Sequence, residues 1–203
     1  MDAAASGGKV TVVDATLQGT QDGTTSPVGE VAEVAVPVVP DTGLERDLFL
    51  RTLVRELAGT LEETVGLEDA AGYISVVGRR MGAWLDESYR EALGVARLDR
   101  EQVAAVHVDL KARIHGDFVL QESGEERLEY TNSRCPFEEK VLGRESMCMM
   151  TSNVFGLIAA ENLGYAKVEL AETIARGDGR CRVVVHLEPG SAEHAPGREY
   201  FGE

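Results

Sequence analysis

Cysteine is scarce in this chain: three residues, Cys135, Cys148 and Cys181, in a sequence of 203. Small secreted domains stapled by disulfides carry more cysteines, in even number, so reduced thiols are expected. Basic charge is also short. Twenty Lys and Arg stand against 35 Asp and Glu, a formal charge of −15. Such a surface repels phosphate backbones and anionic lipid, and Arg79-Arg80 is the only adjacent basic pair. Nucleic acid and membrane are therefore not expected partners. Apolar runs never approach the roughly 18–20 residues of a membrane helix. The first twenty residues also lack the basic stretch and continuous apolar stretch of a signal peptide, and the expected location is the cytoplasm. Missing too are a phosphate-binding loop ending in Gly-Lys-Ser/Thr, a dinucleotide fingerprint and a Gly-x-Ser-x-Gly elbow.

Aromatic residues are absent from residues 1–44, where one base, Lys9, faces six acids. Gly, Pro, Ser, Thr and Asp interrupt every apolar stretch there, and the valine-rich run 31–39 is broken by Pro37 and closed by Pro40. A segment of this kind buries too little surface to offset its chain entropy. Residues 1–43 are thus expected to be a disordered acidic tail, the alternative being an added strand at 34–39.

Beyond that segment the chain has the apolar content of a real core, in one domain over 44–189. Helical periodicity begins after Thr42-Gly43-Leu44-Glu45, which resembles a capping box, and places Leu50, Val54, Leu57, Leu61 and Val65 on one face. A second helix is predicted over 70–93 with Ile74, Val77, Met81, Trp84 and Leu85 inward. Gly78 and Gly82 share a face that permits close approach of another helix. A third begins at Asp99, capped reciprocally with Gln102, and carries Val103, Val106, Leu110 and Ile114. Strand-like runs at 117–121 and 126–131 flank Ser123-Gly124. A helix over 147–163 stops at Gly164, and a second hairpin, 165–174 and 181–187, turns at Gly177-Asp178-Gly179. Residues 190–203 read as a flexible polar tail. The fold class is α+β: N-terminal helices, then an antiparallel sheet of two hairpins with an intervening helix.

The three cysteines fall at element ends. Cys135 precedes Pro136, Cys181 opens the last strand, and Cys148 starts a helix, where the dipole and free amides favour a thiolate. Convergence of the three would suit zinc, or less readily an iron–sulfur cluster. Paired Cys-x-x-Cys motifs do not occur, and the competing reading is three small buried hydrophobes. Met147, Met149 and Met150 surround Cys148 with soft side chains that either pack the core or line a ligand pocket, for which Trp84 and Tyr165 are aromatic candidates. The histidines at 107 and 115 read as structural or solvent-facing, and His186 lies five residues from Cys181, on the other face of a regular strand.

Over residues 44–189 the chain resembles the methanogen output domain family. The resemblance is carried by Gly72-Tyr73-Ile74, Cys135-Pro136-Phe137, Cys148-Met149-Met150-Thr151, the run 159–165 and Gly177-Asp178-Gly179-Arg180-Cys181. It implies a signalling role. The ending Cys148…Gly177-Asp178-x-x-Cys181 is more distantly similar to vinyl-reductase-type ligand-sensing domains, which implies a small-molecule ligand and often zinc. Those domains place another cysteine four residues before the Gly-Asp pair; here Thr173 stands there, so Cys135 or Glu172 would have to replace it. A third similarity, to aminothiazoline-carboxylate hydrolases, implies a thiol enzyme with Cys148 as nucleophile, although no histidine lies near Cys148 in sequence to act as its base.

The expected function is a homodimeric sensor or output module. A small ligand, metal or oxidant would act at Cys135, Cys148 and Cys181, and a partner protein would read the change; catalysis is the alternative. Limited proteolysis is expected to leave a stable core starting near Leu44. A domain that unfolds when the tail is cleaved, or a tail that resists protease, contradicts this organisation.

Overall fold

The computed structural model describes residues 42–190 and 192–202. The tail expected over 1–43, with its alternative strand, lies outside the described residues except for its last two positions. Among the described residues are four α-helices, α1 (Arg46–Val65), α2 (Leu67–Leu93), α3 (Arg100–Arg113) and α4 (Cys148–Leu163). Five strands accompany them, β1 (Val119–Ser123), β2 (Arg127–Asn132), β3 (Tyr165–Glu172), β4 (Cys181–His186) and β5 (Arg198–Phe201). The strands form one sheet of order β1-β2-β4-β3-β5, antiparallel throughout. Among the described residues no helix is long and apolar enough to cross a membrane.

Local signals were obeyed where they were strong. Asp99 accepts from the Gln102 amide at 2.8 Å while the Gln102 side chain accepts from the Asp99 amide at 2.9 Å, the full capping box. Gly164 ends α4 with φ 94°, a conformation few other residues adopt. At the start of α1, by contrast, Glu45 stands at the N-cap and makes no side-chain cap. The segment expected to be a loose C-terminal tail instead supplies β5. Its Tyr200 is buried and hydrogen-bonds the Ser152 hydroxyl on α4 at 2.9 Å.

One face of the sheet packs against helices. Val183, Val185, Val168, Leu128 and Tyr130 point into a core closed by α3 and α4. The other face carries the Arg182–Glu129 ion pair and the His186–Glu169 contact, as period-2 alternation requires. Helix α4 is apolar nearly all round, ten of its 16 residues being buried, so its outer side needs a cover as well. Helix α2 supplies it, through small and polar residues: Ser75, Gly78, Gly82 and Asp86. A Cβ at Gly78 would lie 2.7 Å from the Asn153 Cβ, and one at Gly82 would lie 3.2 Å from the Leu157 Cβ.

The glycine face is therefore spent within the chain, not on a second copy, and of the α2 stripe predicted inward only Ile74 and Leu85 pack against the core. Leu50, Val54 and Leu57 on α1 are exposed, as are Val77, Met81 and Trp84 on α2. Polar anchors hold α1 instead. Arg55 donates to the Leu142 carbonyl at 2.9 Å, Arg51 pairs with Glu138 at 2.9 Å, and Glu62 accepts from Ser146 and pairs with Arg144. Ile114, predicted inward on α3, is exposed because it forms the helix C-cap.

Gly78→Ala is expected to cost about 1–3 kcal/mol, the usual penalty of overpacking. Gly72→Ala, on the same helix with no atom within 4 Å of the added methyl, should gain up to about 1 kcal/mol from helix propensity. Urea denaturation checks both; the reverse ranking would refute the α2–α4 contact.

Candidate functional site

The termini of several elements meet at one end of the sheet. Helix α3 ends there with Lys111, β2 ends with Asn132, and the following loop brings Cys135, Pro136 and Phe137. The first turn of α4 contributes Cys148 and, one helical turn on, Thr151. Strand β4 opens with Cys181, and the β3–β4 connection adds Thr173 and Ala175. Between them lies a narrow cavity of about 70 Å³, with walls completed by Phe118, Val141, Met147, Met150, Leu170 and Val183.

All three cysteines line this cavity as free thiols. Burial raises each thiol above its ordinary pKa, and Cys148 is pushed up to about 12. The neighbouring sulfurs and Glu145 push Cys148 further in the same direction, while a hydrogen bond from the Thr173 hydroxyl opposes them. The expected lowering by the α4 dipole does not prevail. A 3-10 turn, Glu145–Met147, runs directly into α4, so the free amides of the helical segment lie a turn earlier than Cys148.

Lys111 is the residue that sequence reasoning missed. Its side chain is 5% exposed, its ammonium donates to Thr151 Oγ1 at 2.7 Å, and it stands 5.2 and 5.4 Å from the ring centres of Phe118 and Phe155. Burial pulls its pKa down to about 8, partly offset by the three sulfurs. The signal was present: Val103, His107 and Lys111 recur every four residues on the buried face of α3.

Other candidates separate from the cavity. Met147 and Met150 line it, whereas Met149 turns toward Leu67 and Ala71 in a hollow outside. Trp84 is 58% exposed, since α2 points Gly78 and Gly82 at α4 and position 84 falls opposite. Tyr165 opens β3 at the far end of the sheet, about 23 Å away on a rise of roughly 3.3 Å per residue, where its hydroxyl donates to Glu199. Trp84 and Tyr165 are thus withdrawn from the pocket set. His107 is a core aromatic, stacked on Phe155 at 4.0 Å with Nδ1 at 3.0 Å from the Tyr130 hydroxyl, and burial lowers its pKa to about 3. It provides no base for a Cys148 nucleophile.

Zinc fits these residues poorly. The Lys111 ammonium stands beside the three sulfurs, where a cation would have to sit. Thr173 fills the place of the missing cysteine, and Glu172 is tied to Arg180. Among the described residues no group of three or more His, Cys, Asp or Glu is disposed to hold a metal ion.

The model of the family described as methanogen output domain 1 matches residues 53–186. Among solved structures, the phenol-responsive sensory domain of the transcription activator PoxR, solved with phenol, is similar at TM-score 0.54 and 16% identity. The match covers 71% of this chain and 80% of that one. A trafficking protein particle complex subunit 3 from Naegleria fowleri, covalently bound to palmitic acid, gives TM-score 0.47 at 12% identity, covering 69% of this chain and 96% of that one. No curated protein matches. At these identities the PoxR domain shares the fold.

With thiol pKa values raised, the native cysteines should react with iodoacetamide at about pH 7 far more slowly than in urea. The Cys148 rate should climb with pH without levelling near neutrality. A plateau near about pH 7 would mean that the helix terminus overcomes burial.

Proposed function

Because the chain belongs to the methanogen output domain 1 family, we propose that it is a signal-transduction module. A small molecule in the Lys111–Cys181 cavity sets the state of the surface formed by α1 and α2. One observation carries the reading. Phe137, Met147 and Met150 line the cavity and also line an apolar groove between α1 and α2, together with Val54, Leu57, Ile74 and Val77. A ligand that repacks these three side chains alters both surfaces at once. The PoxR sensory domain, of like fold, is phenol-responsive, which supports a small organic ligand for this cavity.

The output surface is the exposed apolar face of α1 and α2, where Leu57, Tyr73, Val76, Val77 and Trp84 are each at least half exposed. A face this apolar on a protein of net charge −15 calls for a permanent cover. A second copy of the chain is the partner present wherever the protein is. The resulting homodimer presents the ligand-dependent geometry that a partner protein reads. The three thiols wall the ligand site. A thiol-enzyme reading finds no support in a Cys148 thiol raised to about 12.

Light scattering at micromolar concentration is expected to give a dimer mass, and Leu57→Asp a folded monomer. Phenol, used as the probe, should raise the melting temperature and change the dimer dissociation constant, and Phe137→Ala should keep the first effect while losing the second. A wild-type monomer removes the dimer. Phenol binding that leaves the dimer constant untouched removes the coupling.

A further inference from the structure

Lys111 carries its ammonium into the cavity, and among the described residues no carboxylate meets it. An ammonium has three protons to donate, and the hydrogen bond it makes is the one to Thr151 Oγ1 at 2.7 Å. On its other sides stand the faces of Phe118 and Phe155 and the sulfurs of Cys135, Cys148 and Cys181. His107, one turn back on α3, is held neutral by burial. Among the described residues no Asp or Glu acts on this ammonium. Burying a charge without a counter-charge is among the costliest arrangements in a protein interior, and such groups are ordinarily paired.

Resting on the ligand-binding reading above, we infer that the cavity takes a small monocarboxylate with an apolar body, its carboxylate paired to Lys111. A single cation calls for a single negative charge, so a phosphate dianion would leave one charge unmet. The Asn132 amide, the other strongly polar lining group, is already committed: it donates to the Arg134 carbonyl at 2.7 Å and accepts from the Cys181 amide at 3.2 Å. Phe118, Phe137, Met150, Leu170 and Val183 form the rest of the wall, which suits an aromatic or branched body rather than a sugar.

Binding of benzoate and its neutral counterpart benzyl alcohol to the full chain tests the inference. Calorimetry is to be run on the wild type, on Lys111→Met, which keeps the methylene stem, and on Lys111→Arg, which keeps the charge. The wild type should prefer benzoate by about tenfold or more, the worth of a charge-assisted hydrogen bond. Lys111→Met should lose that preference while still binding benzyl alcohol, and its ligand-free form should melt above the wild type because an unpaired buried charge is gone. Lys111→Arg should retain some preference for benzoate. Equal binding of the two probes by the wild type overturns the inference and leaves the ligand-binding cavity standing, as does benzoate binding undiminished in Lys111→Met. If Lys111→Met fails to fold, the wild-type preference alone decides. Failure of benzoate, benzyl alcohol and phenol alike removes the cavity reading along with the inference.

Discussion

The close approach of α2 to α4 is the contact on which the remaining geometry rests. Helix α4 is too apolar to expose any side, so it lies between the sheet and a second helix. That helix comes near enough only where Gly78 and Gly82 leave room for Asn153 and Leu157. Several polar groups buried by the approach are matched across it, although Asn153 Oδ1 is buried without a partner. Asn153 donates to Ser75 at 3.0 Å, and Asn162 donates to Asp86 while its carbonyl accepts from the Leu98 amide at 2.7 Å. Removing either partner would strand a buried polar group, which costs more than the bond itself contributes. The register of α4 is thereby fixed, and with it the point where Cys148 and Thr151 reach the end of the sheet.

This contact also explains what the sequence made legible and what it did not. Signals confined to neighbouring residues were readable: the Asp99–Gln102 box, the turn of the first hairpin, the Gly164 stop and the pairing of β3 with β4. The orientation of α1 and α2 was not. Apolar periodicity names a face without naming what covers it, and here the buried face of α2 is Ser75, Gly78, Gly82 and Asp86, a stripe with almost no hydrophobic signal. Strand β5 was missed for a related reason. It is four residues long and mostly exposed, and it gains its place through Tyr200 inserting beside Gly156, where a Cβ would sit 2.1 Å from the ring.

Two effects compete at Cys148, and their sizes decide the outcome. A helix terminus is worth about 0.3–1 kcal/mol to a nearby charge, while full burial shifts a titration by up to about 3–5 pK units. Burial wins, and it does so at all three sulfurs. The three cysteines stand at element ends and line one cavity. Their chemistry there depends on a desolvation that spacing does not encode.

Lys111 inverts the usual logic of a core position. At the other sites along the buried face of α3 the side chain suits its surroundings: Val103 and Leu110 pack, and His107 stays neutral against Phe155. An ammonium in the same row carries a desolvation cost that its contacts with Thr151, Phe118 and Phe155 offset only in part. Proteins keep such local inconsistencies where a site requires them. A ligand that neutralises the charge binds the folded state and not the unfolded chain, so it adds stability by mass action. The stabilisation is felt first by the side chains around the cavity, and Phe137, Met147 and Met150 are among them. Since these three also shape the groove between α1 and α2, a ligand proposed to pair with Lys111 would act on side chains that cavity and groove share.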